Sequence, residues 1–345
     1  MNEIRQILCV STTGMGNAIL YSPVIKALAE RYPNAVIDIL VGNRAAEEAV
    51  RGLPGVREIL LFRRDASLTQ SLSLFHLLKK KKYDLYLTSF LDKSLKVALL
   101  GFLLRIPRRI GFACGWWKAL YTDHALINEK QHEVEYNLDL LKLLSISSAD
   151  DRTEVVISPE DTSFAIRFLA ELGRDKNKPL ISMHPGSGSD IGKGVKRWPA
   201  ERFAQVADML SAYCNAQILI LGGKEEEGLA RQVAAFMSEK PLIATGKTTV
   251  KQTAALLQQC RLFLSNDSGL MHLAAALNTP VVAIFGPTLH WKNYPWKVPY
   301  KLMRKDVGCN PCYSFKTIQC KEPKCLLAIT VDEVSRAAEG LLNGR

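Results

Sequence analysis

A chain of 345 residues, 48% hydrophobic and 23% charged, suits about two globular domains of ordinary size and excludes an intrinsically disordered polymer. The formal charge is +11, and residues 1–130 hold most of the excess, with 19 Lys+Arg against 11 Asp+Glu, a net of +8. Such a balance points to an anionic partner, either a phosphorylated substrate or an anionic membrane surface; no nucleic-acid-reading motif accompanies it, so nucleic acid is set aside.

Short apolar runs at Ile7–Val10, Val36–Val41, Ile59–Phe62 and Leu85–Thr88 read as buried strands. Between and after them, Ala18–Arg31, Ala45–Arg51, Leu68–Lys81 and Lys93–Leu104 carry helical periodicity. Alternation of this kind implies a parallel sheet covered on both faces. The basic run Lys79–Lys82 reads as a helix end, where positive charge suits the dipole. Met1–Val10 has no long apolar run behind a basic start, and the apolar stretch Val97–Leu104 is far too short for a bilayer span, so a soluble cytoplasmic protein is expected.

The second half repeats the pattern. Leu180–His184, Gln217–Leu221, Leu262–Ser265 and Val281–Phe285 are predicted strands, and Pro199–Ala212, Glu225–Met237, Thr249–Gln258 and Gly269–Leu277 are predicted helices. The polar segment Glu171–Pro179 reads as a linker, giving domains 1–172 and 179–330 with a closing helix over Val331–Leu342. The expected fold class is α/β, two doubly wound Rossmann-like domains facing across a cleft at the carboxyl ends of their strands, where ligands belong.

Three loops of the second half follow strands and precede helices, where an anion meets free backbone N–H groups. His184-Pro-Gly-Ser187 is followed by Lys196, Arg197, Trp198 and Pro199; small residues let the backbone approach an anion and lysine supplies charge. Gly222-Gly223 permits a tight turn, and Glu225 or Glu226 after it can accept from a ribose diol, although acidic residues in a first helical turn also complement the dipole. Asn266-Asp267-Ser268-Gly269 supplies cap residues, but Gly269 is a poor helix former, which makes sense where a ligand sits against the backbone; His272 lies one turn in.

In this order, with Gly14-Met-Gly16-Asn17, Arg109-Ile-Gly111-Phe112 and Phe285-Gly-Pro-Thr288, the motifs resemble the bacterial heptosyltransferases, the ADP-heptose:lipopolysaccharide glycosyltransferases of family 9, over nearly the whole chain. The resemblance implies a GT-B fold and an inverting transfer of a heptose or related sugar from a nucleotide diphosphate donor, ADP-heptose in that family, to a lipopolysaccharide-core or related anionic glycolipid. No cofactor would be required, since lysine and backbone dipoles stabilise the leaving diphosphate. The donor would meet Ser187, Lys196, Glu226, Asp267, Ser268, Gly269 and His272; the acceptor would meet Gly16, Asn17, Lys93 and Arg109; the last helix, 331–345, would pack back on the first domain. Peripheral contact with the cytoplasmic face of the inner membrane is implied as well.

One departure matters. Members of that family typically carry Asp where this chain has Asn17, and an amide cannot take the acceptor proton that inversion requires. Asn17 is then a positioning group within the catalytic set with Lys196, and Asp92 is the leading substitute base, ahead of Asp123 and His132. Arg105–Lys118 interleaves Arg with Phe112, Trp116 and Trp117, which suits an anionic headgroup zone as well as a packed loop. Cys309, Cys312, Cys320 and Cys325 could supply four thiolates to a structural zinc, while the remaining cysteines fill core space. The competing readings are a nicotinamide dehydrogenase, which lacks the third glycine of its fingerprint because position 19 is Ile, a sugar-nucleotide epimerase of the same architecture, and a catalytically impaired nucleotide-sugar-binding protein.

Overall fold

The computed structural model describes residues 3–62, 65–113, 115–127, 130–147, 150–187, 194–312, 320 and 322–344. They fall into two units, Met1–Val156 and Ile157–Arg345.

The first unit runs β1 (Gln6–Ser11), α1 (Met15–Arg31), β2 (Val36–Val41), α2 (Arg44–Val50), β3 (Val56–Leu61), α3 (Leu68–Lys80), β4 (Leu85–Thr88), α4 (Leu95–Leu103), β5 (Arg108–Phe112), β6 (Asp123–Ala125) and α5 (Glu133–Lys142). Its strands form one parallel sheet in the order β3-β2-β1-β4-β5-β6. Side chains alternate across that sheet: Ile7 and Cys9 join the core beneath α1, α2 and α5, whereas Leu8 and Val10 join the core beneath α3 and α4. Helix α1 carries Pro23 in its interior, which leaves the Ile19 carbonyl without its usual donor. The Ser22 hydroxyl donates to that carbonyl at 2.7 Å and itself accepts from the Glu154 N–H at 2.8 Å, so the helix continues.

The second unit runs α6 (Pro159–Glu171), β7 (Leu180–His184), α7 (Ala200–Cys214), β8 (Gln217–Ile220), α8 (Glu227–Phe236), β9 (Leu242–Ile243), α9 (Val250–Gln258), β10 (Leu262–Asn266), α10 (Gly269–Ala276), β11 (Val281–Ile284), α11 (His290–Asn293), β12 (Tyr300–Met303), α12 (Lys324–Leu327) and α13 (Val331–Asn343). Its parallel sheet has the order β12-β11-β10-β7-β8-β9. Both units are doubly wound α/β sheets, as the alternation of elements predicts.

The boundaries differ from expectation. The chain divides at 156/157 rather than in 171–179, because α6 packs on α9 of the second unit. The closing helix α13 buries Val334, Ala338 and Leu342 in the second unit's own core, with Ile181, Phe203 and Ile284. Four strands escape the sequence pattern. β6 and β9 are three and two residues long, β12 is an edge strand, and β5 opens on two arginines that hide its apolar run.

Candidate active site

In the second unit the motif loops are tied together around the end of β10. The Asn266 amide donates to the carbonyls of Pro185 and Gly186 at 2.8 and 3.1 Å and accepts from the Trp198 N–H at 3.0 Å, so one side chain links the loop after β7, the approach to α7 and the start of α10. His184 at the end of β7 is buried, donates through Nε2 to Glu226 at 2.9 Å and shares a hydrogen bond through Nδ1 with the Ser268 hydroxyl at 3.1 Å. Ser268 caps α10 by accepting from Met271 N–H at 3.3 Å. A Cβ at Gly186 would run into the Glu226 carboxylate and the His184 ring, so glycine is required where these loops converge.

Ser187, Lys196, Asp267, Ser268, Gly269 and His272 therefore stand on loops that the fold brings together. Lys196 Nζ lies 3.8 Å from Asp267. His272 is buried, and its imidazole is pushed down to about 4, first by burial and then by the Lys196 and Lys292 charges, with Asp267 opposing; it is neutral at pH 7. Among the buried polar atoms on the motif loops, Ser187 Oγ, His272 Nδ1 and Thr288 Oγ1 have no hydrogen-bond partner. Such atoms cost free energy unless water or a ligand meets them. Glu226 is placed differently from expectation. Its Oε2 accepts from His184 and from the Gly223 N–H at 2.9 Å inside the fold, while Glu225 is the exposed carboxylate of that turn. Thr288 and Lys292, absent from the sequence-derived set, join it here; Lys292 is an ordinary basic residue in sequence, and only the fold buries it near His272.

In the first unit the turn between β1 and α1 is held from two sides. Asp92, buried after β4, accepts from Thr12 N–H at 3.0 Å, from the Thr12 hydroxyl and from the Ser89 hydroxyl at 2.6 Å. Asn43 donates to the Thr13 carbonyl at 3.3 Å, and a Cβ at Gly42 would collide with the Thr12 carbonyl. The hydroxyls of Ser11 and Thr13 are buried without a protein partner. Gly16 and Asn17 sit at the start of α1, and Asn17 Nδ2 donates to Glu133 Oε1 at 2.7 Å. Lys93 is exposed beside this region, its Nζ 3.9 Å above the Phe90 ring.

Several of these positions differ from expectation. Asp92 anchors this turn, with three donors on its carboxylate. His132 caps α5, its Nδ1 accepting from Val134 N–H at 3.2 Å, and Asp123 lies 3.6 Å from Arg108 on the edge strand β6. Arg109 is the second residue of β5, level with Tyr86 and Leu8 and away from the carboxyl ends of the strands; it donates to the carbonyls of Leu120 and Ile106, which fixes the turn into β6. The four late cysteines do not assemble a site: among the described residues no three His, Cys, Asp or Glu side chains could hold a metal, and Cys325 is buried in the second core beside Leu326, its thiol pushed up by that burial. Lys193 and Cys114 lie outside the described residues.

The family signature "Glycosyltransferase family 9 (heptosyltransferase)" matches residues 71–324. This chain belongs to glycosyltransferase family 9. It is 26% identical to lipooligosaccharide heptosyltransferase 2 of Campylobacter jejuni over 327 residues, 93% of this chain and 94% of that protein. It is also 26% identical to lipopolysaccharide heptosyltransferase 2 of Escherichia coli K12, over 82% of this chain and 83% of that one. Among solved structures, the family 9 glycosyltransferase from Veillonella parvula superposes with a TM-score of 0.84 at 23% identity, covering 100% and 99% of the two chains. ADP-heptose lps heptosyltransferase II of E. coli does so at 0.78 and 23%, covering 98% and 99%. The protein is a glycosyltransferase of the GT-B fold, which removes the dehydrogenase and epimerase readings.

Proposed function

We propose that this enzyme transfers a heptosyl group from ADP-heptose to the core sugar of a lipopolysaccharide or lipooligosaccharide precursor, working at the cytoplasmic face of the inner membrane. The donor is held by the second unit and the acceptor by the first. The observation that carries the reading is the set of buried, unpartnered polar atoms Ser187 Oγ, His272 Nδ1 and Thr288 Oγ1, standing on the loops joined by Asn266 and His184. A diphosphate supplies acceptors for the hydroxyls and for the N–H of a neutral imidazole. Lys196, Lys292 and the amide end of α10 supply the positive potential that grows in value as the diphosphate leaves, so no step calls for a metal. Glu225, exposed beside the Gly222-Gly223 turn, is better placed than Glu226 to take the ribose.

For the base, Glu133 replaces Asp92 in this reading. Asn17 holds its carboxylate at 2.7 Å, and the Nδ2 donation fixes the amide so that Asn17 Oδ1 can accept from a neighbouring hydroxyl of the acceptor sugar while Glu133 takes the single proton of the attacking hydroxyl. Catalytic hydrogen bonds commonly close only in the substrate complex.

The test is a thermal-shift panel of ADP, UDP, ADP-heptose and UDP-glucose, followed by transfer to a deacylated core oligosaccharide. A rise in melting temperature with ADP compounds and heptose-dependent extension of the acceptor are expected. A shift with UDP-glucose alone, or donor binding without transfer to any core acceptor, overturns the reading.

A further inference from the structure

The net +8 of residues 1–130 is concentrated in residues 68–118, which hold ten Lys+Arg and two Asp+Glu. Asp92 is buried and Asp84 is half-buried, each engaged by backbone donors. Asp84 accepts from the N–H groups of Arg5 and Gln6 at 2.9 Å, and Asp92 holds the first turn. The outward charge of this stretch is therefore all of one sign, with Lys79, Lys80, Lys82, Lys96, Arg105 and Lys118 among its exposed cations.

The same stretch exposes large apolar side chains. On α4, Leu95, Leu99, Phe102 and Leu103 are each 39–48% exposed, and their spacing of i, i+4, i+7, i+8 makes one continuous stripe opposite the buried Val97 and Gly101. On α3, Leu68, Leu72 and Leu77 are 77%, 48% and 42% exposed. The two helices cover one face of the sheet, sharing a core with Leu8, Val10 and Tyr86. A cavity of about 620 Å³ between them is lined by Phe75, Lys79, Phe102, Leu103, Arg105 and Arg109. Lys79 lies 5.8 Å over the Phe75 ring and Arg109 5.7 Å over Phe102, so cation and ring share one wall.

An apolar stripe of this extent calls for a partner. A second copy of the same face would set like charge against like. A surface that is apolar and cationic at the same level matches an anionic bilayer, where aliphatic side chains enter the headgroup boundary and lysine or arginine heads meet phosphates. We propose that the α3–α4 layer is the surface by which this enzyme docks on a bilayer rich in anionic phospholipid. The proposal rests on the glycolipid-acceptor reading only for why a bilayer is at hand; the surface is defined by its own residues. It also relocates the expected contact, since Trp116 alone of the two tryptophans of the 105–118 segment is exposed and Trp117 packs on the core.

The experiment is co-sedimentation of the full chain with vesicles of phosphatidylglycerol and phosphatidylethanolamine, against vesicles of phosphatidylcholine. Selective, salt-sensitive binding to the anionic vesicles is expected. K79E/K96E/R105E should weaken it by roughly two orders of magnitude, given the attraction each basic residue contributes. L99E/F102E should also release the protein, whereas Ile166→Glu, an exposed apolar position of the second unit, should not. The variants change exposed positions, so the wild-type melting temperature and ADP binding are the controls for folding. Equal binding to both vesicle types, undiminished binding of either multiple variant, or a dimer that L99E/F102E dissolves would each overturn the proposal. Transfer to a soluble deacylated acceptor separates the two readings: transfer without vesicle binding overturns docking alone, and vesicle binding without transfer overturns the proposed function alone.

Discussion

The two units share one topology and use their polar residues in opposite ways. In the second, the loops at the carboxyl ends of the strands are joined by Asn266 and His184, yet they leave Ser187, His272 and Thr288 with atoms that no protein group satisfies. In the first, the carboxylate that looks most catalytic, Asp92, is saturated by the turn it supports, and what that turn leaves unmet is a pair of hydroxyls, Ser11 and Thr13. The first unit also carries ten of the sixteen large hydrophobic side chains that are exposed among the described residues, while those of the second are scattered. A donor site must grip a fixed diphosphate and is built of backbone and small side chains. On the proposed reading, an acceptor site that meets a lipid-linked sugar divides its task between a turn and a surface.

The largest effect that would sharpen this contrast is expected at Glu133. Glu133→Gln should lower kcat by roughly 10³-fold with donor affinity unchanged, the range for loss of a general base; an undiminished kcat would remove Glu133 from the reaction. Asn17→Asp sets a second carboxylate against Glu133, and two contacting carboxylates cannot both ionise, so the acid limb of the kcat–pH profile should move up. An unmoved limb would show that the two groups do not share a proton.

Next in size is Lys196→Ala, which should cost roughly 10²-fold in kcat/KM by removing charge from the leaving diphosphate. Calorimetric titration with ADP should weaken in parallel, and an unchanged ADP affinity would place Lys196 outside the donor site. Asp92→Asn should act on folding instead. Its amide N–H₂ would face the Thr12 and Ser89 donors, costing roughly 2 kcal/mol and lowering Tm by about 4–8 °C. Folded Asp92→Asn protein should keep its activity; a specific loss of kcat with an unchanged Tm would restore Asp92 as the base and break the contrast.

The smallest effect is one of pH. The folded His272 imidazole sits at about 4, below its ordinary 6.5, so the unfolded chain takes up the proton first. Stability from this group is complete above pH 6.5 and is lost as pH falls toward 4, by about 1 kcal/mol at pH 5.5. His272→Gln should therefore flatten the stability–pH curve over that range in urea titrations, and parallel curves for the two proteins would refute the assignment.

The period of the apolar runs made most of the fold legible, and the Gly, Ser and Asn residues after β7, β8 and β10 made the candidate donor loops legible, because a backbone that receives an anion restricts its own residue types. What stayed hidden depends on contacts at long range. Glu133 reaches Asn17 from 116 positions away, and a glutamate opening a helix reads in sequence as a dipole complement. Asp92 looked reactive because its three donors cannot be seen without coordinates. Arg109 carried a family motif, but its level along β5, rather than its identity, decides what it can touch. The apolar face of α13 announces a core without saying which one.

Ser22 has a consequence on the timescale of opening. Its hydroxyl repairs the gap that Pro23 leaves in α1 and accepts the amide hydrogen of Glu154, which lies in a segment without regular secondary structure. That amide can meet solvent only when α1 and the end of the unit separate. In native-state hydrogen exchange, Glu154 should be protected like the amides of β1 rather than like those of a loop, and its exchange rate then reports the cooperative opening of the whole first unit.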